Sequence, residues 1–417
     1  MTRHLFRLIW NRKRHNFLLT LEILCSFLVL FAVVLVSIHY VNNWRQPVGY
    51  DIDRVWSISA GLLDRAEDPE VNRSRSREAF RQLLAELEAL PNVEVAAGAT
   101  TAPYVTSTWT SGDRLADGRH IQHGVNWVTD DFRHTIELEL VAGRWFSAED
   151  DGVSWTPVVI NQRLARMIFG NRDPIGRIIP YSRASAEERA RPDYEPDLHR
   201  IIGVVEDFRQ FGELATPGNF LFHRVRLDVA DPQKEWLPNR LIVRVTPGTT
   251  AAFEETLLNR LRLVARDWSF QVEPLVDLRK EQLQQYLAPL IAVGIVAAFL
   301  LLMVALGLTG VVWQSVTQRT QEIGLRRAGG ATIVNIQHQV LGELVIMTSL
   351  AVLAGVLLVA QIPALPLPPD VWLFSNGVFL TAIVLSAAAI YLLTVACGWY
   401  PSRLATTIQP AEALHYE

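Results

Sequence analysis

The sequence predicts a membrane protein with four transmembrane helices and a large α+β extracytoplasmic domain inserted between the first and the second. Three observations carry that class. Four apolar stretches, Phe17 to Tyr40, Leu287 to Trp313, Val340 to Ile362 and Val378 to Cys397, each reach the length of about 20 residues that crosses a hydrocarbon core of roughly 30 Å as a helix. Positive charge gathers at one side of them. The long interval Val41 to Tyr286 mixes amphipathic helix with short strands and is too polar to lie in lipid.

The chain is half hydrophobic and carries 39 Lys and Arg against 43 Asp and Glu, so its net charge of -4 gives no electrostatic reason to bind nucleic acid. The first span follows a basic segment with Arg3, Arg7, Arg12, Lys13 and Arg14, as a signal peptide would. Its apolar run exceeds the roughly 7 to 15 residues of a cleavable signal and ends in HYVNNW instead of a small-residue site, so it reads as an anchor. Cys25 lacks the small residues that precede a lipidated cysteine. Cys397 is also intramembrane, and no disulfide framework follows.

Lys and Arg near span ends stay cytoplasmic. The N-terminal segment, the 317–332 loop with Arg319, Arg326 and Arg327, and the tail with Arg403 are therefore expected inside; the Arg- and Lys-free loop PALPLPPDVWLFSNG and residues 41–286 are expected outside. The expected organisation is 1–40 for the N-terminal segment and first span, 41–97 for the first part of a split α+β subdomain, and 98–238 for an inserted mixed α/β subdomain. Residues 239–286 complete the split subdomain and form a stalk, and 287–417 hold the last three spans and a cytoplasmic tail.

Within the external region, Val55 to Ser59 reads as a strand. Arg75 to Leu90 reads as a helix with Phe80, Leu83, Leu84, Leu87 and Leu90 on one side, and Val93 to Ala97 as a second strand beyond Pro91-Asn92. The pattern recurs as strand Leu241 to Val245, helix Thr250 to Ala265 and strand Phe270 to Glu273. Between these units, Ser147 and Asp150 have capping-box spacing, Val158 to Ile160 is a short strand, Gln162 to Phe169 a helix closed by Gly170, and Asp173 to Gly176 a turn.

The chemistry-bearing patterns are thin. The lysines, Lys13, Lys234 and Lys280, follow no glycine loop, so no phosphate cradle is present, and neither H-E-x-x-H nor G-x-S-x-G occurs. His120 and His123 lie three apart with no third ligand nearby, and an exposed polar turn outweighs a metal site. Glu22 and Glu343 stand near the cytoplasmic ends of their spans. Snorkelling to the interface accounts for them more simply than a proton relay does.

The stretch TQRTQEIGLRRAGGAT, 317–332, is the most distinctive charged run. On a helix, Glu322 and Arg326 are four apart in the favourable order, Ile323 and Arg327 share a neighbouring face, Gly329-Gly330 ends the helix, and Thr332 can cap the next. On composition alone, a charged loop that merely turns the chain is the better explanation of it.

QRTQEIGLRRAGGAT with the following Gly342-Glu343 resembles the R-T-x-E-I-G-x-R-R-A-x-G-A motif of the MacB/FtsX-type ABC transporter permease family, and the tail YPSRLATTIQPAEALHYE is similar to that family's ending. GRWFSAED, VVINQRLARMIFG and DPIGRII resemble its periplasmic core. Gly329, in place of the usual Leu, and His415, in place of Arg, depart from the pattern.

The resemblance implies a multi-pass inner-membrane permease with cytoplasmic termini, acting by mechanotransmission. It implies a second permease chain, identical or paralogous, surrounding membrane lipids, and a separate ABC ATPase subunit that binds ATP and Mg, since this chain shows no ATPase motif and needs no cofactor of its own. Arg319, Glu322, Ile323, Gly324, Arg326, Arg327 and Gly330 map onto the coupling helix that meets the ATPase. Two outputs stay open: export or extraction of a peptide, drug or lipoprotein, with a periplasmic adaptor and a TolC-like outer-membrane duct, or signalling to an extracytoplasmic cell-wall hydrolase. The size of the external domain favours export.

Overall fold

The computed structural model describes residues 13–63, 67–115, 118–179, 198–229, 236–318, 325, 332–364 and 374–405. The chain divides into two compact units, one made of residues 1–42 and 286–417, the other of residues 43–285.

The second unit is built on one ten-stranded sheet ordered β10-β1-β9-β2-β4-β8-β6-β7-β5, with β3 paired to β4. At one end, β1 (Val55–Leu62), α2 (Pro69–Glu88) and β2 (Val93–Ala99) interlock with β9 (Arg240–Val245), α5 (Ala252–Val264) and β10 (Trp268–Pro274). Each βαβ unit leaves a gap of one strand, filled by a strand of the other: β9 runs antiparallel between β1 and β2, and β1 runs antiparallel between β9 and β10. The two sequence repeats are thus one split motif.

Alternation along β9 explains the packing. Leu241, Val243 and Val245 face the helices and meet Phe80, Leu83 and Leu87 of α2 and Phe253, Leu257 and Leu261 of α5. Each of these side chains contributes about 1.5–3 kcal/mol by leaving water. Ile242 points to the opposite face and joins Phe132, Phe208, Phe220 and Phe222.

Helix α2 starts earlier than its apolar periodicity indicates. Asp68 caps it by accepting the Glu70 N–H at 2.9 Å, and Pro69 occupies the first turn, where a missing N–H costs nothing. The apolar stripe locates the buried face, whereas the polar first turns need only a cap.

The rest of the sheet comprises β3 (Trp109–Arg114), β4 (His120–Val128), β5 (Leu140–Gly143), β6 (Thr156–Asn161), β7 (His199–Val205) and β8 (Phe220–Arg224), with short α3 (Phe132–Thr135) and α4 (Gln162–Phe169). One residue pair, Ala99 with Val128, joins this group to the split motif through β2 and β4. The Ser147–Asp150 capping box closes a 3-10 turn, Ala148–Asp150. Asn161 caps α4 through Leu164 N–H at 3.1 Å and also accepts the Phe220 N–H at 3.0 Å, tying helix to sheet.

The histidine expectation is corrected. His120 and His123 are not in an exposed turn but on β4, where an odd spacing puts them on opposite faces of the sheet. His123 is buried at 2% exposure, while His120 is exposed and faces Arg114 across β3. Alternation therefore separates the two imidazoles. Among the described residues, no group of three or more His, Cys, Asp or Glu side chains could hold a metal ion.

Among the described residues, the first unit contains four helices long and apolar enough to cross a membrane: parts of α1 (Lys13–Trp44) and α6 (Leu275–Gln318), together with α7 (Ile333–Val359) and α8 (Asn376–Ala405). Both α1 and α6 run past the apolar stretches, since hydropathy marks only the lipid-compatible part of a helix. Ile23 and Phe27 of α1 pack with Val304 and Leu308 of α6, Met347 and Ala351 of α7 and Ile390 of α8. Hydroxyl pairs Thr348 with Thr394 at 3.0 Å and Ser349 with Tyr391 at 2.8 Å fasten α7 to α8, as polar side chains do between helices in lipid.

Candidate functional site

Arg319, Glu322, Ile323, Gly324, Arg326, Arg327 and Gly330 lie outside the described residues. Their flanks are defined. Helix α6 is described up to Gln318, and Thr332 caps α7 by accepting the Asn335 N–H at 3.3 Å, as the Gly-Gly-x-Thr pattern predicts. Leu325 within the stretch is helical and 64% exposed. Glu22 is half-buried against Gly307 of α6: a Cβ there would stand 3.3 Å from Glu22 Oε2 and 3.2 Å from Leu19. Glu343 is half-buried on α7.

A second site lies in the extracytoplasmic unit, where sequence reasoning placed nothing. The loop after β7 carries Arg209, a cation only 3% exposed. Its Nη1 donates to the carbonyl oxygens of Asn43 at 2.7 Å and Gln46 at 3.1 Å; its Nη2 donates to those of Ala215 at 2.6 Å and Glu213. Asn43 lies in the last turn of α1, whose final carbonyls have no partner within the helix and carry the negative end of its dipole. A planar guanidinium with several fixed donors suits that end, and its hydrogen bonds to carbonyls offset the cost of burying charge. Asn43 reciprocates, donating Nδ2 to the Leu214 carbonyl at 2.9 Å.

The same loop holds the start of α6. Glu213 Oε1 accepts Arg279 Nε at 2.7 Å and the Tyr104 hydroxyl at 3.2 Å, while the Arg279 guanidinium lies 5.8 Å from the Trp44 ring centroid. Glu213 Oε2 is buried without a hydrogen-bond partner among the described residues, so Arg279 stabilises a carboxylate otherwise half-satisfied. Tyr50 donates to the Arg209 carbonyl at 2.8 Å, and its ring meets Tyr104 edge-on at 6.1 Å. Burial pushes the Tyr50 hydroxyl well above its ordinary value, with Tyr104 and Glu213 adding to the shift, so this phenol stays neutral. Burial lowers the Arg279 pKa, but the bond to Glu213 outweighs it and the net shift is upward.

Local backbone supports the arrangement. Gly212 has φ +79° and would place a Cβ 2.5 Å from the Tyr104 ring, so both conformation and space require glycine. The loop thereby binds the end of α1 through Arg209 and the first turns of α6 through Glu213. In the sequence, FRQFGEL reads as an ordinary charged loop, because its partners lie 166 residues away at Asn43 and 66 away at Arg279.

The fold defines a class: a multi-pass membrane protein whose first and second spanning helices bracket a large α+β domain. The family described as MacB-like periplasmic core domain matches residues 26–259, more than half of the chain, and the family described as FtsX-like permease C-terminal matches residues 294–410. The macrolide export ATP-binding/permease protein MacB of Agrobacterium fabrum is 30% identical over 304 residues, covering 70% of this chain and 43% of that protein. The pyoverdine export ATP-binding/permease protein PvdT of Pseudomonas aeruginosa is 25% identical over 293 residues, covering 68% of this chain and 41% of that protein. The chain thus spans less than half the length of these relatives. The solved periplasmic region of MacB from Actinobacillus actinomycetemcomitans matches with a TM-score of 0.38 at 14% identity, over 55% of this chain and 93% of that structure. This chain belongs to the MacB-like, FtsX-like family of ABC transporter permeases.

Proposed function

We propose that the chain works by mechanotransmission. An ATPase supplied by another polypeptide holds ATP and Mg and delivers its closing movement to the 317–332 stretch, where Arg319, Glu322, Arg326 and Arg327 offer charge and Ile323, Gly324 and Gly330 shape the contact. Helices α1 and α6 carry the movement to the extracytoplasmic unit. The observation that carries this reading is the double attachment of one loop: Arg209 holds the α1 terminus and Glu213, four residues on, holds Arg279 of α6. Relative movement of two helices attached to one loop must strain or shift that loop.

Export is the favoured output, because the relatives MacB and PvdT are named for export of a macrolide and of pyoverdine. The working unit pairs two permease chains in the inner membrane with two ATPase subunits, both termini facing the cytoplasm; a periplasmic adaptor and an outer-membrane duct complete the export path. The decisive experiment reverses the contact charges. Arg326→Glu with Arg327→Glu sets like charges against an acidic partner surface, which costs several kcal/mol at close range. The expected result is normal membrane insertion with loss of ATPase co-purification and of permease-stimulated hydrolysis. Undiminished binding and stimulation would show that the stretch is only a solvated loop.

A further inference from the structure

The loop that grips both helices also forms one wall of a cleft of about 190 Å³ beside β3 and β4. Phe208 and Phe220, with ring centroids 4.6 Å apart, contribute aromatic lining, and Thr108, Thr110, Gln122 and Gly218 contribute to the rest of it. Apart from Arg209 and the buried His123, the lining side chains do not titrate, and both Nη atoms of Arg209 are already engaged by carbonyls. Arg209 Nε has no hydrogen-bond partner among the described residues but is itself buried, so the cleft presents no accessible charge to an ion. Sites for whole drug-sized ligands run from about 300 Å³ upward, so this space suits a single ring or short aliphatic group, with neutral hydrogen bonding from the threonines and amides.

Gln210 ties the cleft to the helix attachment. Its Nε2 donates to Thr101 Oγ1 at 2.8 Å, and its Oε1 accepts the Thr108 hydroxyl at 2.8 Å, while its neighbour Arg209 caps α1. A group seated between Thr108 and Phe208 presses on residues whose backbone leads directly to that cap.

We infer that this cleft is a binding site for an uncharged aromatic or aliphatic group of a small molecule, and that its occupancy stiffens the 208–219 loop and the α1 terminus attached to it. The inference adds a ligand input to the transmission reading, but it is tested without ATPase or nucleotide, so either can fail alone.

The test uses the full chain in lipid nanodiscs, with 4-fluorophenol as the probe and empty nanodiscs as the reference for partitioning. Fluorine NMR should show saturable binding. Gly218→Leu, at a glycine with open space around its missing Cβ and no positive φ, and Thr110→Phe, on the exposed strand β3, should each weaken it at least tenfold by filling the cleft. Saturation should slow amide exchange across 43–48 and 208–219 in the unmodified chain. Binding no greater than to empty nanodiscs, or saturable binding that both substitutions leave intact, overturns the site. Saturable binding at the cleft with unchanged exchange at 43–48 overturns its link to the helix.

Discussion

Arg209 Nη1 stands 2.7 Å from the carbonyl oxygen of Asn43, so a buried cation of the extracytoplasmic sheet domain caps the helix that carries the first span. The same carbonyl also accepts the Gln46 N–H at 3.1 Å, so the guanidinium is a second donor at the end of the helix.

Removing that cation should destabilise the domain. Arg209→Met leaves four carbonyls without their shared donor, and each that finds no other donor in the interior costs about 1–3 kcal/mol. Arg209→Lys keeps the charge but not the planar fork, and should fall between the two. Thermal unfolding followed by near-UV circular dichroism gives the order; equal stability of all three proteins would remove the cap from the account.

Arg279→Met tests transmission apart from folding. Arg279 is about one-third exposed and its partner Glu213 keeps the Tyr104 hydroxyl, but Glu213 Oε2 has no hydrogen-bond partner among the described residues, so a stability loss of about 1–3 kcal/mol is expected and is measured by thermal unfolding of the same variant. In complexes reconstituted with the ATPase, stimulated hydrolysis should drop at least fivefold while the ATPase still co-purifies. Full stimulation would show that the contact is only structural.

Acid should weaken the Ser147–Asp150 turn. Burial pushes the Asp150 carboxyl up, but bidentate bonds from Arg144 at 2.5 and 2.8 Å and the Ser147 N–H at 3.1 Å outweigh it and hold the pKa below the ordinary carboxylate value. A carboxyl depressed in the folded state contributes stability that is complete above its unfolded pKa of about 3.9 and is lost as pH falls through the folded value. Asp150→Asn should therefore cost about 1–2 kcal/mol at pH 7 and progressively less below pH ~4. Denaturant titrations at several pH values measure this, and a pH-independent difference would contradict it.

Orientation is tested by fusion. A reporter active only outside the cytoplasm should function after Ala97 or Pro368 and stay silent after Gly330 or Glu417, because Lys and Arg flank the spans on the opposite side. Activity after Gly330 would invert the arrangement.

The spans, the two βαβ repeats and the Thr332 cap were legible because each is a local pattern: a hydrophobic run, an amphipathic period, a capping residue before a helix. Even there the bounds moved. Asp68 and Pro69 start α2 through a cap that apolar periodicity does not contain, and α1 and α6 outrun their apolar segments. The histidines show the limit of spacing, since three residues apart means one thing in a turn and opposite faces in a strand.

By itself, then, the sequence determined the four spans, the site of the inserted domain and a family likeness written in contiguous motifs. Tertiary structure alone decided that β9 would slot between β1 and β2, and that Arg209 would meet Asn43 while Glu213 met Arg279. The reason is range. Hydrophobic period and capping act over a few residues and leave a mark in every copy of the pattern, whereas a guanidinium finds a carbonyl 166 residues away only after the sheet has brought both into one buried place, and nothing adjacent to either residue records the pairing.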